Sequence, residues 1–318
     1  MSDAVNPGGF IPLQPEQLGM LLLKTIQELS KTYQPGKDRV ISPENVFQQA
    51  VITGRDVLEH FQLKLFKPGS GVEGLEHLDQ CLADLRAGRS VLFLPEHRGN
   101  FDVPSFHALL RREAPRYHDV LDRLVYVAGR KLNESSDLVK MFTEKYSRLV
   151  IVPKRDYPPE KENESPQERQ HREDYEKTAS RINRAAFREM LRLKKEGRIF
   201  VLFPTGGRIK AGFDNQPVRE ATSYIEGFDR AYLVSMEGNT LPPAERMEDE
   251  RPVQEKIVFR VGPGLDTGDF LTGERQRYDV QKAAGRIPES LDKDLFAMRR
   301  VMAMLEHLRL HGNYGSPD

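Results

Sequence analysis

Residues 91–102 read Val-Leu-Phe-Leu-Pro-Glu-His-Arg-Gly-Asn-Phe-Asp, a continuous apolar run followed by a short polar corner. Such an apolar run is typical of a strand that is buried on both faces. A helix is predicted to begin near Asp102, because Val103 and Pro104 suit a first helical turn. At this corner the Asp102 carboxylate can hold one nitrogen of the His97 imidazole, which leaves the other nitrogen free to accept a proton.

The rest of the chain alternates between short apolar runs and helical patterns. Alternation of buried strands with helices predicts an α/β fold with a mixed, largely parallel sheet flanked by helices. The further predicted strands are 124–128, 149–152, 199–203, 231–236 and 257–261, and the predicted helices of this part are 74–86, 103–112, 136–146 and 175–196.

The first 70 residues are expected to form a small N-terminal helical unit. Apolar residues at helical spacing predict a helix over 16–33, and a second helix is predicted to open with Ser42 as N-cap and Pro43 at its first position. A Pro- and Gly-rich break over 67–71 separates this unit, 1–70, from an α/β domain over 72–318. Within that domain, the polar segment 154–172 is predicted to be an exposed loop or insertion.

Composition narrows the classes of function. The 318 residues carry 48 basic and 48 acidic side chains, and this balance gives no sign of a nucleic-acid partner. The single cysteine, Cys81, is expected to be a buried apolar filler in a reducing compartment. No apolar run approaches the length of a membrane span, so we expect a cytoplasmic protein, while the apolar stretch 20–23 leaves a peripheral membrane contact open.

Chemically suggestive residues follow three predicted strands: His97 and Asp102, then the cations Lys154 and Arg155, then the segment 203–210. The last segment contains Gly206, Gly207, Arg208 and Lys210, and paired glycines let backbone N–H groups converge on an anion beside fixed positive charge. Each of these three segments alone is more often part of a turn or of a solvated surface. Together at one sheet edge they predict a base beside a phosphate pocket.

Motifs of other chemistries are absent from the sequence. It contains no Gly-x-x-x-x-Gly-Lys phosphate loop, no His-Glu-x-x-His metal site and no Gly-x-Ser-x-Gly elbow. The sequence has one cysteine and no second clustered histidine. We therefore expect no metal site and no metal cofactor.

From Leu94 to Asp266 the chain resembles the glycerolipid acyltransferase superfamily, whose hallmark is His-x4-Asp followed by a Phe-Pro-x-Gly block. It is most similar to the soluble, plastid-type glycerol-3-phosphate acyltransferases. The resemblance implies that His97 and Asp102 are the catalytic pair. It also implies that Lys154, Arg155, Arg208 and Lys210 bind the substrate phosphate, with Gly206, Gly207, Arg130 and Lys131 as further candidates. Thr205 stands where many members have Glu.

The implied reaction moves a fatty acyl group from an acyl thioester, on acyl carrier protein or coenzyme A, to the sn-1 hydroxyl of glycerol 3-phosphate, with no cofactor. Three alternatives stay open: transfer to 1-acylglycerol 3-phosphate, thioester hydrolysis, and non-catalytic binding of a phosphorylated ligand.

Overall fold

The computed structural model describes residues 10–34, 40–209, 216–245 and 249–315. The helices are α1 (Pro15–Ser30), α2 (Arg55–Leu65), α3 (Leu75–Arg86), α4 (Asp102–Glu113), α5 (His118–Arg123), α6 (Arg130–Asn133), α7 (Asp137–Thr143), α8 (Pro166–Lys195), α9 (Ala221–Glu226), α10 (Thr267–Ala283) and α11 (Lys293–His311). The strands are β1 (Phe47–Gln48), β2 (Gly71–Glu73), β3 (Val91–Pro95), β4 (Leu124–Gly129), β5 (Arg148–Ile151), β6 (Ile199–Val201), β7 (Arg230–Glu237), β8 (Val258–Val261) and β9 (Leu265–Asp266).

The strands form one mixed, mostly parallel sheet in the order β1-β5-β4-β6-β3-β7-β8-β2, and β9 pairs with β7. The five central strands, from β5 to β7, run parallel to one another. Strand β1 is antiparallel to β5, and β8 and β9 are antiparallel to β7. The predicted α/β fold is confirmed. The carboxyl ends of β3, β5 and β6 therefore meet at one edge of the sheet.

Apolar clusters cover both faces of the sheet. In β3, Val91 and Phe93 belong to one cluster while Leu92 and Leu94 belong to the other, because successive strand side chains point to opposite faces. Helices α1 to α4 contribute to the first cluster, and α8, α9 and α11 contribute to the second. The continuous apolar run of β3 follows from this double burial.

The predicted helix opening at Ser42 is wrong. The Ser42 N–H donates to Asn45 Oδ1 at 2.8 Å, and its hydroxyl accepts from the Glu44 N–H at 3.3 Å, so these side chains hold a turn instead of starting a helix. Phe47 and Gln48 then pair with β5 at the edge of the sheet. The helix α2 begins only after Gly54, whose φ is +79°.

The predicted exposed loop over 154–172 is wrong in its second half, because α8 begins at Pro166. Ser165 and Glu168 form a capping box that satisfies the free N–H groups of the first turn. Arg172 adds ion pairs to Glu164 at 2.9 Å and to Glu176 at 3.2 Å. Hydrogen bonds and ion pairs stabilise these first turns of α8, so hydrophobic periodicity does not reveal them.

The segment before the break over 67–71 joins the main core. Leu58 and Phe61 of α2 belong to the cluster that contains Phe101 and Phe106. The rings of Phe61 and Phe101 meet edge to face with centroids 5.8 Å apart. The division of the chain at residue 70 stays a prediction.

Cys81 lies fully buried on α3, as predicted. Burial raises the pKa of its thiol to about 12, so this cysteine does not supply a thiolate nucleophile near neutral pH.

On α1, Met20 and Leu23 are exposed, and peripheral membrane contact stays a prediction. None of the described helices combines the length and apolarity needed to cross a membrane.

Candidate functional site

His97 and Asp102 form a hydrogen-bonded pair at the carboxyl end of β3. The Nδ1 atom of His97 lies 2.9 Å from Asp102 Oδ2. The same oxygen accepts the backbone N–H groups of Arg98 at 2.6 Å and Gly99 at 2.9 Å, so the carboxylate is fixed at the beginning of α4. Asp102 is 3% exposed, and its Oδ1 atom is buried with no hydrogen-bond partner among the described residues.

The turn between His97 and Asp102 packs closely against Asn239, which follows β7. The Asn239 side-chain amide donates to the Arg98 carbonyl at 2.8 Å. A Cβ at position 99 would lie 2.3 Å from Asn239 Oδ1, so a larger residue there would force the Asn239 side chain to move. The turn is thus held by a neighbouring loop as well as by Asp102.

The segment after β6 lies directly over the histidine. The Phe203 ring stacks on the His97 ring with centroids 4.1 Å apart, and the Ile209 N–H donates to the His97 carbonyl at 2.6 Å. Gly206 has a φ of +61°, which favours glycine. A Cβ there would also meet Val218 at 2.7 Å. The predicted base and the glycine pair are therefore neighbours.

The predicted phosphate-binding cations lie in different environments. Lys154 and Arg155 are exposed in a short 3-10 helix after β5, and Arg155 donates to the Gly206 carbonyl. Arg208 is half-buried and pairs with Glu250. Lys210 lies outside the described residues.

The two further cationic candidates, Arg130 and Lys131, have partners elsewhere. The Arg130 guanidinium lies over the Tyr175 ring, 4.8 Å from its centroid, and 3.4 Å from the Glu134 carboxylate. Lys131 pairs with Asp156 at 3.0 Å. Neither residue contacts His97. Gly207 lies in open space, since nothing surrounds the position of a Cβ within 4 Å.

An apolar cavity of about 420 Å³ opens beside Phe203, between α8, α9 and the sheet. We call it the α8 cavity. Its apolar wall includes Ala186, Phe187, Met190, Leu202 and Tyr224, while Lys154, Arg155 and Gly206 line its polar end. A volume of this size is typical of sites for small molecules.

Sequence reasoning missed three residues that support the site. Asn239 fixes the turn, Glu250 holds Arg208, and Phe203 packs on the imidazole. Phe203 lies within the predicted segment 203–210 and its Phe-Pro-x-Gly block, but its packing on the His97 ring was not predicted. Asn239 and Glu250 lie in a polar connection with no recognisable spacing, so no sequence signal identified them.

A second buried carboxylate lies near the histidine. Glu96 is 5% exposed, accepts the Met236 N–H at 2.8 Å and lies 3.4 Å from Arg309. Burial raises the pKa of this carboxyl, and the Met236 N–H and the nearby arginines oppose the shift. Its contacts tie β3 to β7 and α11, so we assign it to the support of the strand end.

The geometry permits general-base chemistry. Because Asp102 engages Nδ1, Nε2 is the imidazole nitrogen left for a substrate proton. Positive charge and an apolar cavity lie next to that base. Within the described ranges, no group of three His, Cys, Asp or Glu side chains is placed to hold a metal ion.

No protein-family model matches the chain, and no curated protein matches it. Among solved structures, the chain is similar to the 1-acyl-sn-glycerophosphate (LPA) acyltransferase PlsC from Thermotoga maritima. The two share 16% sequence identity over 84% of this chain and 85% of that chain, with a TM-score of 0.41.

Proposed function

We propose that this protein transfers a fatty acyl group from an acyl thioester to the sn-1 hydroxyl of glycerol 3-phosphate. The observation that carries the proposal is the 2.9 Å hydrogen bond between His97 and Asp102, made beside a cationic segment and an apolar cavity. This reaction needs three parts: a base, an anion-binding group and an apolar cavity for the acyl chain.

His97 is the general base in the proposed step. Its Nε2 atom takes the proton of the acceptor hydroxyl as the hydroxyl oxygen attacks the thioester carbonyl carbon. The new C–O bond forms, the C–S bond breaks, and the proton passes from the imidazolium to the leaving thiolate. Asp102 stabilises the imidazolium, and general-base catalysis of this kind contributes about 10²- to 10⁴-fold to the rate.

The acceptor phosphate is proposed to bind Lys154, Arg155, Arg208 and Lys210. Arg155 contacts Gly206, and Arg208 precedes Ile209, whose N–H bonds to the His97 carbonyl. These contacts support a phosphate site next to the base. A phosphate anchored there would orient the acceptor hydroxyl toward Nε2, which lowers the entropy cost of the reaction. The contribution of Lys210 rests on the sequence alone.

The α8 cavity is proposed to hold the acyl chain. Its apolar wall begins at Phe203, which stacks on His97, so a chain bound there would present its carbonyl near the base. The same cavity suits the chain of 1-acylglycerol 3-phosphate, and this lipid is the second candidate acceptor. Acyl carrier protein and coenzyme A are the candidate carriers of the donor.

The test is a thiol-release assay with palmitoyl-coenzyme A and with palmitoyl-acyl carrier protein. Each donor is mixed with glycerol 3-phosphate, with 1-acylglycerol 3-phosphate, or with no acceptor. We expect release that depends on glycerol 3-phosphate. The rate should fall about 10²- to 10⁴-fold in His97→Ala and stay unchanged in the control His60→Ala, which alters an exposed histidine on α2.

Every other result contradicts the proposal in a different way. A folded His97→Ala variant with the wild-type rate would exclude the base. Thiol release without an acceptor would indicate a hydrolase, and release only with 1-acylglycerol 3-phosphate would indicate the second acceptor. Calorimetric binding of glycerol 3-phosphate without any turnover would indicate a non-catalytic binding protein.

A further inference from the structure

A second depression lies on the outer side of α8, next to the α8 cavity. It has a volume of about 490 Å³ and is lined by Tyr157, Ser180, Asn183, Arg184, Phe187 and Arg188. We call it the α8 depression. Asn183 and Phe187 line both spaces, so the depression and the cavity adjoin each other. None of the residues predicted from the sequence to be functional belongs to it.

The two arginines of the depression differ from their neighbours on the helix. Arg184 and Arg188 form no ion pair with any residue of the described ranges, whereas Arg172 and Arg192 each pair with two or more carboxylates. The sequence between residues 177 and 189 contains no Asp or Glu. Two exposed guanidiniums, four residues and about 6 Å apart along the axis, thus face solvent uncompensated.

Phe187 lines the same depression as these arginines and is 57% exposed. A single exposed apolar side chain is ordinary. Here the aromatic ring lines a concave surface that also presents two guanidinium groups, with half-buried Tyr157 as a wall. This combination suits a ligand with both a flat ring and phosphates.

The side chain of Asn183, which lines both spaces, is hydrogen-bonded to the backbone just after β5. The Asn183 side chain accepts the Val152 N–H at 2.8 Å and donates to the Val152 carbonyl at 2.9 Å. Val152 directly follows β5, three strands along the sheet from β3 and His97. At about 4.8 Å between neighbouring strands, the separation across the sheet is about 14 Å. A ligand in the depression therefore reaches the base only through an extended arm.

We propose that the α8 depression binds the phosphorylated adenosine end of coenzyme A, with Phe187 stacking on adenine and Arg184 and Arg188 binding the phosphates. The proposal rests on the proposed acyl transfer and assigns its donor. The pantetheine arm of coenzyme A would cross from the depression toward His97, while the acyl chain occupies the adjoining cavity.

The extent of the positive charge favours a nucleotide over an acidic carrier protein. Within the depression, the positive charge comes from two side chains, Arg184 and Arg188. The hydrogen bond from Ser42 lowers the pKa of the Glu44 carboxyl, and Arg181, one turn before Arg184, lies close enough to lower it further. A protein partner covers about 800 Å². Such a footprint would also cover Glu176 and Glu189 on the same helix, which already pair with Arg172 and Arg192, so it would gain little further positive charge there.

The test measures binding of adenosine 3′,5′-bisphosphate by calorimetry, and the KM for three palmitoyl thioesters. The variant is Arg184→Gln with Arg188→Gln. We expect its affinity for the bisphosphate to fall about tenfold, as the loss of charge-assisted hydrogen bonds predicts, and its KM for palmitoyl-coenzyme A to rise by a similar factor. Its KM for palmitoyl-pantetheine, which lacks phosphates, should not change.

A matched control is Lys177→Gln with Lys195→Gln, which removes the same charge from exposed positions of the same helix. It should keep wild-type binding. Equal bisphosphate affinity in wild type and both variants, or no binding to any of them, would overturn the proposal. A raised KM for palmitoyl-acyl carrier protein alone would assign the surface to the carrier protein instead. Because the calorimetry needs no turnover, its result is separate from the test of acyl transfer.

Discussion

Arg208 pairs with Glu250, whose side chain is only 2% exposed. The other carboxylate oxygen of Glu250 accepts the side-chain N–H of Asn100 at 2.9 Å. Asn100 lies in the turn between His97 and Asp102. One buried carboxylate therefore connects the turn that carries the base to the glycine-rich segment that carries Arg208.

The pair predicts a clear effect on stability. Arg208→Ala leaves a buried carboxylate without its cation, so we expect the free energy of unfolding to fall by about 2–3 kcal/mol. Chemical denaturation measures this loss. The control is Arg219→Ala, which breaks an exposed pair with Asp292 and should cost less than about 1 kcal/mol.

A double-mutant cycle separates the pair from other effects of truncation. Arg208→Ala with Glu250→Ala should be less destabilised than the sum of the single variants, because the double variant leaves no buried charge. Strict additivity would show that the two residues stabilise the protein independently.

The sequence predicted the six segments that form β3 to β8, because each is an apolar run between turn signals. It also predicted the contact between His97 and Asp102, because a strand end and a helix start fix their separation. The local chain determines both features. Helices α10 and α11 were not predicted, and α10 illustrates why: few of its residues are buried, so its apolar pattern is weak.

Other features depend on contacts between distant segments. The antiparallel pairing of Phe47 with Leu149 supplies β1 with a partner 102 positions away, which local periodicity cannot reveal. Likewise, Glu250 contacts Arg208 and Asn100, and it lies in a connecting segment that contains no recognisable motif. The sequence predicted that Lys154, Arg155, Arg208 and Lys210 converge on a phosphate. It did not predict that Glu250 pairs with Arg208.

Asp102 gives a prediction that distinguishes orientation from folding. In Asp102→Asn, the side-chain amide can still accept the N–H groups of Arg98 and Gly99, but it cannot stabilise an imidazolium at His97. We expect kcat for the proposed transfer to fall about 10²-fold or more, while the melting temperature changes little. A variant with full activity would show that the carboxylate only holds the turn.

The α8 cavity predicts control of acyl-chain length. Ala186 is 1% exposed and lines the cavity, so Ala186→Leu places a larger side chain in that space. We expect kcat/KM to fall about fivefold for a 16-carbon donor and to change little for an 8-carbon donor, about 1 kcal/mol of discrimination. Leu191→Phe, at an exposed position of the same helix outside the cavity, is the control. Equal losses for both donors would place the chain elsewhere.

His107 on α4 is 2% exposed, and its Nε2 atom lies 3.0 Å from the Tyr126 hydroxyl. Its Nδ1 atom is buried and has no hydrogen-bond partner within the described part of the chain. Burial, followed by the charges of Arg55 and Arg111, lowers the pKa of His107 well below its ordinary value of 6.5. The folded protein therefore holds this imidazole neutral where the unfolded chain protonates it.

This shift predicts acid sensitivity of the fold. Below about pH 6.5 the unfolded state binds a proton that the native state excludes, so stability falls as the pH is lowered. We expect the wild type to lose about 1.4 kcal/mol per pH unit from this one group between pH 6.5 and the folded-state pKa. Denaturation at pH 7.5 and pH 5.5 should show a smaller loss in His107→Gln and the wild-type loss in His171→Gln, which alters an exposed histidine. An identical pH dependence in all three proteins would contradict the neutral, buried imidazole.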